Sequence, residues 1–193
     1  MNQTYIEEKA FKNIDFKKKP LIKGEYENCS FINCDFSNTD LSEIVFTECE
    51  FIDCNLSLVK LIRTAFRKVK YKDCKMLGMQ FENCNKFGLS INFDHCILNH
   101  SSFSQVKLNK TVFKNSELNE VDFSECNLTG SIFDNCDLTR TTFWNTIIER
   151  ADFRSSYNYS IDPENNRIKK AKFSITGIVG LLDKYDIKID GIN

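Results

Sequence analysis

Glu27-Asn28-Cys29-Ser30-Phe31-Ile32-Asn33-Cys34-Asp35-Phe36-Ser37 repeats itself after five residues: a large apolar residue at Phe31 and Phe36, each preceded two places earlier by a cysteine. Five fits neither the 3.6-residue turn of a helix nor the two-residue alternation of a strand. Followed outward, the register holds. Towards the N-terminus it reaches Tyr26, Leu21 and Phe16; forward it runs Leu41, Phe46, Phe51, Leu56, Leu61, Phe66, Tyr71, Met76 and Phe81. A second run continues Phe93, Leu98, Phe103, Leu108, Phe113, Leu118, Phe123, Leu128, Phe133, Leu138, Phe143, Ile148 and Phe153, for 27 positions with no polar exception.

The position two residues before each of these carries Gly, Cys, Thr, Ile, Val, Met, Ser or Ala from Gly24 to Ala151, and never a charge. With 27% of the chain charged, chance alone would place several charges there, so this is a second inward-facing site. A chain that turns through about a right angle every five residues closes a square coil in 20. Coils stacked at the strand spacing of roughly 4.8 Å turn 27 repeats into about seven coils and a rod about 30 Å long. Stacking by 20 sets Leu21, Leu41 and Leu61 over Phe81, Phe103, Phe123 and Phe143, and runs Phe31, Phe51 and Tyr71 into Phe93, Phe113, Phe133 and Phe153. Beyond Phe93, Phe and Leu alternate until Ile148, which places Phe on two opposite sides of a narrow core.

Cys34-Asp35-Phe36-Ser37-Asn38, Val121-Asp122-Phe123-Ser124-Glu125 and Ala151-Asp152-Phe153-Arg154-Ser155 resemble the repeat of the pentapeptide repeat proteins over about four fifths of the chain. The resemblance implies an all-β fold, a right-handed quadrilateral β-helix. Residues 1–15 are expected to be an N-terminal cap, frayed because Lys9 occupies the small inward site. Residues 16–173 form the solenoid, and 174–193 a C-terminal helix and tail, all within one structural domain. Between Phe81 and Phe93 stand 12 residues where 10 belong, so 82–92 holds a register break, with Phe87 or Leu89 filling the vacated core site. It reads as a bulge joining two halves of one rod or as a binding loop with Lys86 and Phe87 as contacts. Asp162-Pro163-Glu164-Asn165-Asn166 reads as a turn before the register returns at Ile168 and Phe173. Ile178, Leu181, Leu182 and Tyr185 recur at helical spacing with Thr176 as a candidate N-cap, giving a short helix that closes the last coil. Such a lid protects the open end from strand addition; with Ile178, Leu181, Leu182 and Ile187 on its outer side it also offers a dimer contact.

All nine cysteines fall on the small inward site or, for Cys84, on its extrapolation into the break, which marks them as small hydrophobes rather than redox or metal groups. His95-Cys96-Ile97-Leu98-Asn99-His100 suggests a Cys/His pair, but the register turns Cys96 inward and both histidines toward outer corners. Asp35, Asp40, Asn55, Asp122, Asn127, Asp137 and Asp152 precede the central residue too regularly for paired catalytic carboxylates; they read as turn chemistry that replaces the Gly and Pro this chain lacks. No phosphate loop or zinc spacing appears, so the reading is non-enzymatic, with no catalytic residue, metal or cofactor. No export signal or apolar stretch of membrane-spanning length is visible in the sequence, and the expectation is a cytoplasmic protein.

Within the family the layout looks most like the quinolone-resistance members. The register beginning near Ile6, the Glu27–Ser37 run, the break near mid-chain and the Gly180-Leu181-Leu182-Asp183-Lys184-Tyr185-Asp186-Ile187 terminus carry that likeness. It implies a homodimer joined through the C-terminal module and a rod that mimics duplex DNA, binds gyrase or topoisomerase IV, relieves quinolone inhibition and makes no direct contact with nucleic acid. A general interaction rod with an unrelated partner is the alternative. The net charge is −1, and the acidic excess lies in residues 82–153, with 10 acidic against 6 basic side chains, including Glu117, Glu120, Asp122 and Glu125. Trp144 follows an inward Phe and projects outward, as an interface residue or against the lid. Arg167, Lys169, Lys170 and Lys172 make a basic rim, either solvated or facing an acidic partner.

Overall fold

The computed structural model describes residues 4–190 as a parallel, four-sided β-helix with almost no helix. The last residues of the expected tail, 191–193, and the first three of the expected cap lie outside the described residues. We number the four faces in chain order by their inward residues. Face 1 carries Ile6, Tyr26, Phe46, Phe66, Leu89, Leu108, Leu128, Ile148 and Ile168; face 2 carries Phe11, Phe31, Phe51, Tyr71, Phe93, Phe113, Phe133, Phe153 and Phe173. Face 3 carries Phe16, Phe36, Leu56, Met76, Leu98, Leu118 and Leu138, and face 4 Leu21, Leu41, Leu61, Phe81, Phe103, Phe123 and Phe143. Every registered large residue from Phe16 to Phe153 is buried except Leu21, which is partly so.

Two faces carry true sheets. On face 1, β1 (Thr4–Glu7), β3 (Gly24–Glu27), β5 (Val45–Thr47) and β7 (Ala65–Arg67) pair in parallel in that order. On face 2, β2 (Ala10–Lys12), β4 (Ser30–Ile32), β6 (Glu50–Ile52), β8 (Val69–Lys72), β9 (Ile91–Asp94), β10 (Val112–Lys114) and β11 (Ile132–Asp134) make a continuous seven-stranded sheet. Faces 3 and 4 are joined by single parallel bridges at the residue before the inward one, such as Asp15, Asp35, Asn55 and Lys75. Residues 4–12 are a paired first coil rather than a frayed segment: Ile6 aligns with Tyr26 and Phe11 with Phe31. Lys9 avoids the core by remaining exposed, its Nζ 5.2 Å from the Phe11 ring centroid.

The aromatic columns are continuous. Nine rings from Phe11 to Phe173 stack on face 2, with neighbouring centroids between 4.6 Å (Phe133–Phe153) and 5.5 Å (Phe153–Phe173). Phe103 and Phe123 on face 4 meet this column edge-on, at 85° to Phe113 for Phe103 and 84° to Phe133 for Phe123. In the first half the second aromatic column is on face 1, as Tyr26, Phe46 and Phe66; from Phe81 onward it is on face 4. The change of column coincides with the register break.

That break lies on face 1. Residues 84–90 cross from Thr64, whose carbonyl accepts the Asn85 N–H at 2.9 Å, to Phe66, whose carbonyl accepts the Ser90 N–H at 3.0 Å. Leu89 packs against the core, whereas Phe87 is 80% exposed, which settles which of the two fills the inward site. The sheet of face 1 stops at β7, while face 2 continues across the break through Tyr71 opposite Phe93.

Corners are made by a device the composition does not reveal. Among the described residues twenty-six other than glycine have positive φ, and between Asn28 and Arg150 they recur at the position two after the inward residue, at 48–67°. Where the residue after the corner also donates back, as Thr39 N–H does to the Phe36 carbonyl at 3.0 Å, the corner is a turn with its left-handed residue third. None of the 26 is β-branched, the class for which this conformation is most costly. The Asp/Asn expectation holds beside it: Asp35, Asp40, Asn55, Asp122, Asn127, Asp137 and Asp152 each accept the backbone N–H two residues on, at 2.8–3.2 Å.

The small inward site does a second job. Thiols and hydroxyls there donate to a carbonyl 23 residues earlier, as from Cys54 to Phe31 (3.3 Å), Thr64 to Leu41 (2.8 Å) and Ser131 to Leu108 (2.7 Å). Cys, Ser and Thr are thus interchangeable there, each satisfying its polar hydrogen inside the core. All nine cysteines are buried and unpaired with one another by disulfide. Burial pushes the Cys49 thiol up to about 12 and the Cys136 thiol to about 11.

The end of the rod corrects one expectation. Residues Thr176–Leu181 and Asp183–Tyr185 are two 3₁₀ segments, and Thr176 is the first helical residue rather than the cap. Ser174 Oγ accepts the Gly177 N–H at 3.0 Å instead. Gly177 and Gly180 lie so close to Tyr159 that neither has room for a Cβ, and two glycines in six residues disfavour an α-helix. The expected turn at 162–166 is present: Asp162 Oδ1 accepts the Glu164 N–H at 2.9 Å, and Lys184 ties the lid to both carboxylates.

Candidate interaction surface

The filled interior leaves only outer faces to act. The suggested Cys/His pair diverges as the register requires, with Cys96 buried and His95 and His100 at exposed corners with φ of 53° and 61°. Among the described residues no group of three or more His, Cys, Asp and Glu side chains converges to hold a metal ion. The apolar-floored depression on face 2, between Glu50, Lys70, Asn92 and Lys114, is open and shallow.

Glu117, Glu120, Asp122 and Glu125 occupy one coil but not one plane. Glu117 lies on face 3, where it accepts a hydrogen bond from Asn99 Nδ2 at 3.2 Å. Glu120 sits on the corner between faces 3 and 4, with His100 at 3.2 Å and Arg140 at 3.3 Å one coil to either side. Asp122 is on face 4, and Glu125 on the next corner, where Gln105 Nε2 donates to it at 3.1 Å. Trp144 lies on face 4 one coil beyond Ser124, is 51% exposed, and its carbonyl accepts the Glu125 N–H at 2.7 Å. The structure therefore brings Asp122, Glu125 and Trp144 together and turns Glu117 away. On face 4 from Ser102 to Asn145 every outward residue is Ser, Thr, Asn, Gln, Asp, Glu or Trp, and none is basic.

Elsewhere opposite charges stack at a spacing of 20: Glu43 between Lys23 and Arg63, Glu48 with Lys68, Glu50 with Lys70. Arg63 and Lys23 hold the Glu43 carboxyl below the usual carboxylate range. Each such exposed pair is worth little on its own. The pairing was readable in the sequence once charges are compared at 20 residues instead of along the chain. Lys86 Nζ donates to the Gln105 carbonyl at 3.1 Å, which pins the break loop to the next coil and leaves Phe87 outermost. In the basic rim, Arg167 pairs with Glu149 at 2.7 Å and Lys172 with Asp152 at 3.6 Å. At the lid, Leu181 packs on the core and Leu182 is half-buried, while Ile175, Ile178, Tyr185 and Ile187 are exposed. The dimer candidates thus divide into an inner pair and an outer pair.

A pentapeptide repeat region is matched over residues 25–91 and again over 78–153. The chain belongs to the pentapeptide repeat family. No similar sequence was found among curated proteins. Among solved structures it is similar to two trypsin-treated variants of QnrB1, described as a plasmid-mediated fluoroquinolone resistance protein. The first is 17% identical over 96% of this chain and 100% of that one, with a TM-score of 0.63; the second is 18% identical over 94% and 99%, with a TM-score of 0.62. HetL from the cyanobacterium Nostoc sp. strain PCC 7120, described as a pentapeptide repeat protein involved in heterocyst differentiation regulation, is 14% identical over 91% of this chain and 88% of that one, with a TM-score of 0.66. At these identities the likeness is one of fold. Among the described residues no helix is long and apolar enough to cross a membrane.

Proposed function

We propose that this pentapeptide repeat protein is a non-enzymatic binding rod whose partner is a type II DNA topoisomerase, gyrase or topoisomerase IV, engaged through face 4 and protected there from quinolone-type inhibitors. The observation that carries the reading is the strip of face 4 from Ser102 to Asn145, whose own outward residues include no base and combine Asp122 and Glu125 with the exposed Trp144, Arg140 and Lys86 lying at its borders. A basic saddle built for duplex DNA favours such a strip, because acids supply the charge and Trp supplies an anchor. The match to a trypsin-treated QnrB1 variant over the whole of that chain supports the same reading. Ile178 and Ile187, exposed on the outer side of the lid, supply the homodimer contact, and Leu181 the cap. The site of action is the cytoplasm, where nine reduced, buried thiols are at home.

The test is gyrase supercoiling, with and without a quinolone, titrated with the protein at several salt concentrations. Rescue that weakens with salt and is lost in Asp122→Lys/Glu125→Lys, with the far-ultraviolet CD unchanged, supports the proposal. A wild-type protein without effect at any concentration refutes it. The alternative, an interaction scaffold for an unrelated partner, is favoured by the match to HetL and by the Arg140 contact that offsets the charge of Glu120.

A further inference from the structure

Sorting the outward charges by face exposes an order that the near-neutral total hides. On face 1 and the corner that follows it, the first three levels carry Glu7, Glu8, Glu25, Glu27 and Glu48 and no base, while Lys23 on the preceding corner is paired with Glu43. The next three carry Arg67, Lys68, Lys86, Lys107 and Lys110 and no acid. Apart from Glu48 with Lys68, none of these ten is in an ion pair among the described residues. Over the same six levels the other faces alternate or pair their charges, so an acidic half followed by a basic half belongs to face 1 alone.

A pattern of three acidic levels followed by three basic ones reverses sign about its midpoint. A twofold axis lying in the plane of the face and crossing the rod sets two copies antiparallel, and in such an isologous contact each level meets its mirror level. With the axis between Phe46 and Phe66, Glu7 and Glu8 face Lys107 and Lys110 of the other copy, Glu25 and Glu27 face Lys86, and Glu48 faces Arg67 and Lys68. All six levels are complementary, and no other register of two antiparallel copies achieves that. The break loop fits the same arrangement: Phe87, 80% exposed, comes opposite the second level, flanked on its own side of the face by Tyr5 (54% exposed) and Val45. An exposed aromatic among charges is the anchor-and-rim composition of a protein interface. We infer that face 1, from Thr4 to Lys110, is a docking surface for a second copy of this chain, bound antiparallel.

The overlap is five steps of about 4.8 Å, or about 24 Å, by about 12 Å of strand width. That is roughly 300 Å² per partner, well below the roughly 800 Å² of a stable complex, so the pairing is weak and electrostatic. It differs in kind from an apolar contact at the lid, because only the lateral pairing is screened as the Debye length falls from about 10 Å at 0.1 M salt to about 3 Å at 1 M.

Sedimentation velocity on the full chain, at rising protein concentration and in low and high salt, tests it with two variants, Glu7→Lys/Glu8→Lys and Lys107→Glu/Lys110→Glu. All four positions are exposed, so both variants fold. The expected result is association of the wild type that falls by about tenfold or more between low and high salt, loss of that association in each variant alone, and its return when the variants are mixed in equal amounts. The mixture restores opposite signs at both ends of the overlap, which neither variant does with itself. Association beyond the lid dimer that is absent from the wild type in low salt, that is insensitive to salt, that both variants retain, or that the mixture does not restore overturns the inference. Salt-sensitive binding of duplex DNA by the wild type, without self-association, assigns the basic half to a polyanion and also overturns it.

Discussion

Phe113 sits midway along the face 2 column and is fully buried. It stacks on Phe93 at 5.1 Å and Phe133 at 4.8 Å and receives the edges of Phe103 and Phe123 at 6.1 and 5.7 Å. Phe113→Leu keeps most of the apolar volume and removes four ring contacts. At the low end of about 0.5 kcal/mol per aromatic pair beyond area burial, that loss is about 2 kcal/mol. Phe113→Ala adds the cavity and is expected to cost about 3–5 kcal/mol. Phe173→Leu is the control, since that ring ends the column, is only partly buried and has Phe153 as its single stacked partner, 5.5 Å away. With a tilted contact to Tyr159 at 5.7 Å as its second ring contact, its expected cost is about 1 kcal/mol, half that of Phe113→Leu. Urea unfolding followed by far-ultraviolet CD gives the difference as a shift in midpoint at constant slope. Because a solenoid can lose its end coils independently, hydrogen exchange on the β10 amides checks that the central coils report the change. If Phe113→Leu proves no more costly than Phe173→Leu, the ring column is not what holds the coils together, and the stability resides in the backbone ladder.

The left-handed corners predict that Asn115→Val destabilises by about 1–3 kcal/mol whereas Asn115→Gly is nearly neutral, measured by the same unfolding. The buried thiols predict that the native protein resists a water-soluble disulfide reagent and that nine groups react at once in guanidinium; rapid reaction of several thiols under native conditions contradicts the packing. Asp40 and Asp152 are held below their usual range, Asp40 by Ser42, whose N–H donates to it at 2.9 Å, and Asp152 by Arg154. A carboxyl whose folded value is depressed stabilises the fold above its unfolded value of about 3.9 and ceases to do so as pH falls through the folded value. Stability is therefore flat from neutral pH down to about pH 5 and declines below about pH 4. Asp40→Asn/Asp152→Asn flattens that decline, because asparagine makes the same turn contact at Asn55 and Asn127; an unchanged acid slope refutes the assignment.

The fold was legible because its repeat is short and the same two positions of every five turn inward. Phe16 to Phe153 needed no tertiary information to be placed inward, and the cysteines and the Asp/Asn turn acceptors followed from the same phase. Residues that fall off the five-residue phase, or point outward from it, were not legible in the same way. Phe87 and Leu89 compete for one site, and only the backbone path between Thr64 and Phe66 shows that Leu89 takes it. Thr176 looked like a cap, but the contact of Gly177 and Gly180 with Tyr159 imposes two 3₁₀ segments. The four acids at 117–125 are adjacent along the chain, yet right-angle corners spread them over two faces and give Glu120 to Arg140. By itself the sequence determined the inward register, since burial repeats every five residues. Only the tertiary structure decided which outward residues share a face, because a surface in a solenoid is assembled from residues 20 apart, and its charge is a property of the stack.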